Sequence, residues 1–268
     1  VRLKLDVAYD GAGFSGWAVQ PGRRTVAGDL TEALTTLFGV DGPTGLTVAG
    51  RTDAGVHASG QVCHVDVPPQ AWPTLRDSIV KRLAGLLPPD VRVMAVTAVP
   101  DVFDARFSAL SRRYEYRVTD VPWGAVPLRR YDTATWPRGL SLEALNAAAA
   151  GLVGQHDFAA FCRRKEHATT IRAVGRLDWR RDPDGILVAT VQADAFCQSM
   201  VRSLVGAMLF VGDGRRPASW PAALLSRRER SSEVTVAPAH GLSLVEVVYP
   251  NSEEDLERRA EQTRRLRA

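Results

Sequence analysis

A cation, a hydroxyl, a carboxylate and an imidazole stand on one short stretch of the chain. They are Arg51, Thr52, Asp53 and His57, in the segment Gly50-Arg51-Thr52-Asp53-Ala54-Gly55-Val56-His57-Ala58. An aspartate in an arbitrary loop most often closes an Asx-turn, its carboxylate bonded to nearby amides. Here the reactive groups are crowded, with Gly50 and Gly55 at the flanks and a short strand on either side. Rigid scaffolds display catalytic groups on tight loops of this kind at strand ends. Asp53 is therefore the candidate catalytic carboxylate. His57 taken alone reads as a structural hydrogen-bonder.

Arg202 is the second candidate. The stretch from Phe196 to Phe210 is apolar on nearly every side of a helix, and Arg202 stands in it. A guanidinium buried there without a partner costs several kcal/mol, roughly, so a carboxylate is expected to approach it. Asp53 is a candidate partner, and a pairing would hold that carboxylate ionised and aim it. The competing reading is an arginine that snorkels to solvent at the helix edge, which suits so apolar a helix less well. Tyr114 and Tyr116 alternate with Arg113 and Arg117 along a strand, which puts the tyrosines on one face. Such a stripe is usually core; at the inner face of a cleft a tyrosine can instead stack on a flipped base.

The elements that must carry these groups follow from hydrophobic periodicity. Val1, Leu3, Leu5, Val7 and Tyr9 alternate as a strand, and Gly11 to Gly22 is a glycine-rich loop. Val26 to Phe38 has helical spacing with Gly39 as its stop. Strands are expected at Leu46 to Ala49, Gln61 to Val67 and Val91 to Val99, with a helix over Thr74 to Leu86. In the second half, strands are expected at Tyr114 to Thr119, Ile171 to Trp179, Ile186 to Val191 and Leu242 to Tyr249. Helices fall at Ser141 to Leu152 and Phe196 to Val211.

Each half reads βαββαβ, the split βαβ or ferredoxin-like unit, which is also the platform of RRM-like RNA-recognition domains. The expected fold is thus α+β, with two ferredoxin-like halves forming a mostly antiparallel sheet around a central cleft. The boundaries are 1–105 and 106–250, followed by a charged tail, 251–268. In the tail Glu254 and Arg258, Asp255 and Arg259, and Glu261 and Arg265 are spaced as i,i+4 pairs, giving a solvated helix or a frayed end.

Gly11-Ala12-Gly13-Phe14-Ser15-Gly16 matches G-x-G-x-x-G directly after a strand, but no helix follows at once, because Trp17 and Pro21-Gly22 interrupt. A dinucleotide site is therefore not expected. The loop reads as a turn that lets backbone approach something closely.

The bulk composition sets the class. With 268 residues, 45% hydrophobic and 24% charged, the chain can bury a sizeable core as one large or two small domains. No run of about 18 apolar residues occurs. Arg2, Lys4 and Asp6 interrupt the N-terminal stretch, so neither a membrane span nor a signal peptide is expected and the location is cytoplasmic. Cys63, Cys162 and Cys197 are scattered without C-x-x-C spacing and read as reduced thiols, not a zinc site.

The net charge is +4, carried almost wholly by arginine, since Lys4, Lys81 and Lys165 are the lysines. Arg112-Arg113, Arg129-Arg130, Arg163-Arg164-Lys165 and Arg180-Arg181 have Tyr114, Tyr116, Tyr131, Phe158, Phe161 and Trp179 near them. Basic clusters beside aromatic faces suit nucleic acid, although a charge cluster alone is more often a solvated surface.

With these residues in hand, the chain resembles the tRNA pseudouridine synthase A family. The match runs through Tyr9-Asp10-Gly11, Gly16-Trp17, Gly50 to Ala58, Ala105 to Ala109, Arg112 to Tyr116, and His156-Asp157-Phe158. It continues through Phe196, Met200-Val201-Arg202, Val205-Gly206, Gly241-Leu242 and Tyr249-Pro250. The resemblance implies isomerisation of uridine to pseudouridine in the anticodon arm of tRNA, just 3′ of the anticodon, by a homodimer without cofactor or metal. It places the nucleophilic aspartate on Asp53, the base-contacting tyrosine on Tyr114 and the aspartate-pairing arginine on Arg202. Arg51 falls on the arginine that fills the space left by the flipped nucleotide.

Asp53 could attack C1′, attack C6 of the ring or remove a ribose proton, and these routes stay open at this point. The proton on C5 must then go to a base, either Tyr114 or Asp53 itself. Ala18, Gln198-Ser199 and Ser243 depart from residues frequent in the family, a glutamine, a histidine and a tyrosine. A non-catalytic RNA-binding protein with the same sheet platform is the alternative reading.

Overall fold

The structure, a computed structural model, describes residues 1–39, 44–163 and 169–265. Its elements run β1 (Arg2–Tyr9), α1 (Val26–Phe38), β2 (Thr44–Val48), β3 (His57–Asp66), α2 (Trp72–Leu75), α3 (Ile79–Leu86) and β4 (Val91–Val99). After them come β5 (Ser111–Thr119), β6 (Ala134–Thr135), α4 (Leu142–Ala150), β7 (Gly154–Asp157), β8 (Ile171–Arg181) and β9 (Leu187–Ala193). The chain continues with α5 (Met200–Gly212), α6 (Trp220–Ala223), β10 (Leu242–Val248) and α7 (Glu253–Arg265). This is an α+β protein with mostly antiparallel pairing. By contacts it divides into Val1–Leu110 with the segment from Leu244 onward, and Ser111–Ser243.

In the first unit the strands lie in the order β4-β1-β3, with β2 also on β3 and β10 as the other neighbour of β3. Alternation makes β1 a strand, and it buries Leu3, Leu5, Val7 and Tyr9 on one side. Each of the aliphatic side chains contributes about 1.5–3 kcal/mol by leaving water. Helix α1 has the bounds its sequence dictates. Thr25 caps it by accepting from the Gly28 N–H at 3.3 Å, Asp29 sits in the first turn, and Gly39 ends it at φ 84°.

The single helix expected over Thr74 to Leu86 is two. Pro73 lets α2 start earlier, and the Ser78 N–H and hydroxyl both turn back onto the Leu75 carbonyl, at 2.9 and 3.3 Å, which ends that turn before α3 begins.

As far as Arg265 the tail is helical and not wholly solvated. Helix α7 buries Leu256 and Ala260, and Leu256 belongs to a cluster with Ala49, Val62, Phe103 and Ala105. Of the expected ion pairs, Glu261 and Arg265 stand 3.5 Å apart, whereas Arg258 bonds Asp255, and Arg259 donates to the Ala109 carbonyl at 3.3 Å.

Buried in the same unit, His64 accepts the Ala105 N–H on Nδ1 at 3.0 Å, with its ring edge-on to Phe103. Burial, with the Arg2 charge, lowers its pKa below the ordinary value. The neutral imidazole therefore stabilises the fold fully above the unfolded-state pKa of about 6.5, and that contribution is lost as pH falls through the lower folded-state value. Urea midpoints at pH 7.5 and pH 5 are expected to show a smaller acid loss in His64→Gln than in wild type, and equal losses would refute the assignment.

In the second unit the order is β5-β9-β8-β7, with β6 parallel to β5. Helix α4 starts where Ser141 accepts the Ala144 N–H at 3.1 Å. Helix α5 starts at Met200 and not at Phe196, because Ser199 is at φ 63°. No other non-glycine residue among those described has a positive φ, and the left-handed conformation does not continue a right-handed helix.

Candidate active site

Asp53 lies on the loop between β2 and β3, half-buried, with Arg51 exposed and Thr52 buried beside it. The backbone closes the turn: the Val56 N–H donates to the Asp53 carbonyl at 3.2 Å, and the Gly55 N–H donates to the Phe14 carbonyl at 3.3 Å. On the same side the Trp17 N–H donates to the Thr52 carbonyl at 3.1 Å.

The G-x-G-x-x-G loop thus has its reason, since it is the clamp on the Asp53 loop. At Gly11 a Cβ would sit inside the Val56 carbonyl. At Gly16, with φ 96°, a Cβ would come within 2.9 Å of the Thr52 carbonyl oxygen and 3.2 Å of the Ala54 nitrogen. Only glycine allows both the approach and the dihedral. Arg24 holds the loop from outside: its guanidinium bonds Asp29 and Asp90 and lies 4.2 Å over the Phe14 ring. The Asp90 and Asp29 carboxylates raise the Arg24 pKa, the Asp90 hydrogen bond most, and the hydrogen bond from Arg24 lowers that of Asp90.

His57 is buried and accepts the Gly11 N–H on Nδ1 at 2.9 Å, which fits its reading as a structural hydrogen-bonder. The same nitrogen is 3.0 Å from an Asp10 carboxylate oxygen.

Behind the loop stands a polar chain that sequence reasoning missed. The Tyr9 and Thr52 hydroxyls are 2.8 Å apart, and the Gln61 amide nitrogen lies 3.2 Å from the Tyr9 hydroxyl and 2.9 Å from the Gly50 carbonyl oxygen. Gln61 is fully buried. The available signal was a glutamine at an inward position of an expected strand, across the sheet from Val7.

In the second unit Tyr114 and Tyr116 both point inward from β5, as alternation dictates. Tyr114 packs edge-on to Phe196, ring centroids 5.2 Å apart. Tyr116 donates its hydroxyl to the Pro238 carbonyl at 3.1 Å, and burial raises its pKa. Arg202 is half-buried on α5, as its surroundings require. Its Nε donates to the Ala237 carbonyl at 2.7 Å, and its own carbonyl accepts the Ala237 N–H at 3.0 Å.

Several of the paired arginines have partners within the fold. Arg112 donates to the Asp194 carbonyl at 2.7 Å, Arg129 bonds Asp132 at 3.1 Å, Arg181 bonds Asp120 at 3.0 Å, and Arg180 stands 3.6 Å from Glu115. Phe158, Phe161 and Trp179 are core residues, so they offer no stacking face. Arg130 over the half-exposed Tyr131 keeps the expected geometry, 4.0 Å from the ring centroid. Arg164 and Lys165 lie outside the described residues. The cysteine reading holds for Cys63, which is free and buried, but Cys162 and Cys197 are joined in a disulfide, their Cα atoms 5.6 Å apart. Scattered positions in the chain carried no sign that these two would meet.

A family model described as tRNA pseudouridine synthase matches residues 148–250, which include Arg202 but not Asp53. Over the whole chain, tRNA pseudouridine synthase A of Frankia casuarinae is 58% identical across 267 residues, covering 100% of this chain and 96% of the relative. The chain belongs to the tRNA pseudouridine synthase A family. The family's members from Streptomyces griseus and Mycobacterium leprae are 56% and 52% identical, covering 93% and 100% of this chain and 88% and 96% of their own lengths. As a member of this family the chain is an isomerase. No helix among the described residues is long and apolar enough to cross a membrane.

Proposed function

We propose that this chain converts uridine to pseudouridine in the anticodon arm of tRNA, just 3′ of the anticodon, with Asp53 as the reacting carboxylate. The observation that carries the reading is the loop itself. A half-buried aspartate stands on a backbone turn that two glycines allow to be clamped from one side, in a chain that aligns from end to end with tRNA pseudouridine synthase A.

The reaction breaks the bond from C1′ to N1, turns the uracil and joins C5 to C1′, while the C5 proton leaves and N1 gains one. Asp53 serves as nucleophile at C1′ or C6, or as the base at the ribose. Tyr114 is assigned to the face of the base, Arg51 to the space the flipped nucleotide vacates, and Arg202 to orienting the carboxylate. The exposure of Arg51 suits a residue that must reach into RNA. The working form is assigned as a cytoplasmic homodimer.

Incubating the protein with unmodified tRNA and mapping pseudouridine by chemical labelling tests the reading. Pseudouridine confined to the anticodon arm supports it. Bound but unaltered tRNA would instead identify a non-catalytic RNA-binding protein.

Arg202→Lys tests the orienting role. Lysine has no group to replace Nε at the Ala237 carbonyl and no planar fork. The loss of one charge-assisted hydrogen bond predicts a kcat lower by about tenfold or more, with little change in KM. A wild-type kcat in single-turnover assays would refute the role.

A further inference from the structure

We propose that Tyr9 is a positioning residue for Asp53, acting through the Thr52 hydroxyl, with Gln61 anchoring the hydrogen-bond chain to the Gly50 carbonyl. The inference rests on the reading of Asp53 as the reacting carboxylate.

The orientation of the Gln61 amide follows from donor and acceptor counts. The Gly50 carbonyl can only accept, so the group facing it at 2.9 Å must be the Gln61 amide nitrogen, and the Gln61 oxygen is then free to accept the Val62 N–H at 3.1 Å. The second amide proton of Gln61 goes to the Tyr9 oxygen at 3.2 Å. That oxygen also lies 2.8 Å from Thr52 Oγ1, a bond in which either hydroxyl can be the donor. Gln61, Tyr9 and Thr52 are all buried, so the chain exchanges little with water and a lost member leaves an unsatisfied group.

The chain grips the side chain of the residue adjacent to Asp53. The glycine loop grips its backbone, since the Thr52 carbonyl is held by the Trp17 N–H and faced by Gly16. The Thr52–Asp53 peptide is therefore fixed by its side chain and by its backbone, from two different segments. A bulge in the pairing of β1 with β3, between Val7 and Tyr9, brings Tyr9 opposite Ala58 and beside this loop. Freeing one of the two grips lets the carboxylate wander, and a small misplacement of a reacting group lowers the rate without weakening binding remote from it.

The test compares Tyr9→Phe, Thr52→Val, their double variant, Thr52→Ser and Asp53→Asn in single-turnover pseudouridine formation on tRNA. Measurements are made at a temperature where thermal unfolding shows each protein folded. Tyr9→Phe and Thr52→Val are each expected to lower kcat by about tenfold, with KM for tRNA nearly unchanged. The double variant is expected to lose no more than either single one, because both remove the same bond. Thr52→Ser, which keeps the hydroxyl, is expected to recover the rate. Additive losses, a change confined to KM, or wild-type rates in Tyr9→Phe overturn the inference. If those results accompany an inactive Asp53→Asn, the carboxylate reading stands and only the role of Tyr9 falls; an active Asp53→Asn removes both.

Discussion

Asp53→Asn is expected to reduce pseudouridine formation by about four orders of magnitude or more, while tRNA binding stays close to wild type. Asparagine has nearly the shape of aspartate, so the turn closed by Val56 on the Asp53 carbonyl and by Gly55 on Phe14 has no reason to move. The grips on Thr52 from Trp17 and Tyr9 likewise make no use of the Asp53 side chain. What changes is the charge and the nucleophilicity of one oxygen. All three routes open to Asp53, attack at C1′, attack at C6 and removal of a ribose proton, need a carboxylate, and an amide supplies none of them. Chemical labelling of the tRNA reads the product, and filter binding reads the complex. Turnover within tenfold of wild type, with binding intact, would end the assignment of Asp53 to the chemistry.

The largest expected effect on stability is at Gly206. In an exposed helix, alanine in place of glycine adds about 1 kcal/mol of stability. In α5 the sign is expected to reverse, because a Cβ at Gly206 would overlap the Thr235 carbonyl and come 3.4 Å from the Ala237 nitrogen. Backbone, not a flexible side chain, is in the way, and α5 is buried over most of its surface, so neither partner can give without disturbing a packed neighbour. Gly206→Ala is expected to cost about 2 kcal/mol or more, which for a chain of this size lowers Tm by roughly 4–8 °C. Activity should fall as well, since the displaced segment carries the Ala237 carbonyl and N–H that bond Arg202. Thermal unfolding with an activity assay well below Tm checks both effects, and an unchanged or raised Tm would show that the close approach is absent.

How legible each feature was depended on how local its causes are. The bounds of α1 follow from Thr25, Gly39 and the spacing between them. The inward face of β1 follows from strict alternation, as does the shared face of Tyr114 and Tyr116. Arg202 was conspicuous because its neighbours in sequence are its neighbours in space along one helix. Its half-buried state, with Nε on a backbone carbonyl, follows from that setting.

Features that depend on distant partners were not legible. The start of α5 is set by the conformation of Ser199, not by apolar spacing, which continues upstream to Phe196. The arginine pairs beside aromatics suited nucleic acid, yet carboxylates engage Arg129 and Arg181, and the nearby phenylalanines fill the core. The tail looked solvated, but α7 buries Leu256 and Ala260, and Leu256 joins an apolar cluster of the first unit.

For the candidate site itself, the sequence alone nominated Asp53, the glycines around it and the family to which their order belongs. Only the tertiary structure decided what the residue before Asp53 touches. Thr52 meets Tyr9 43 residues away through its side chain, and Gly16 and Trp17 through its carbonyl. Sequence periodicity reports which face a residue presents, whereas a hydrogen bond of 2.8 Å requires an atom of β1 and an atom of the loop before β3 to arrive together, and the register of β1 against β3 sets where that loop begins.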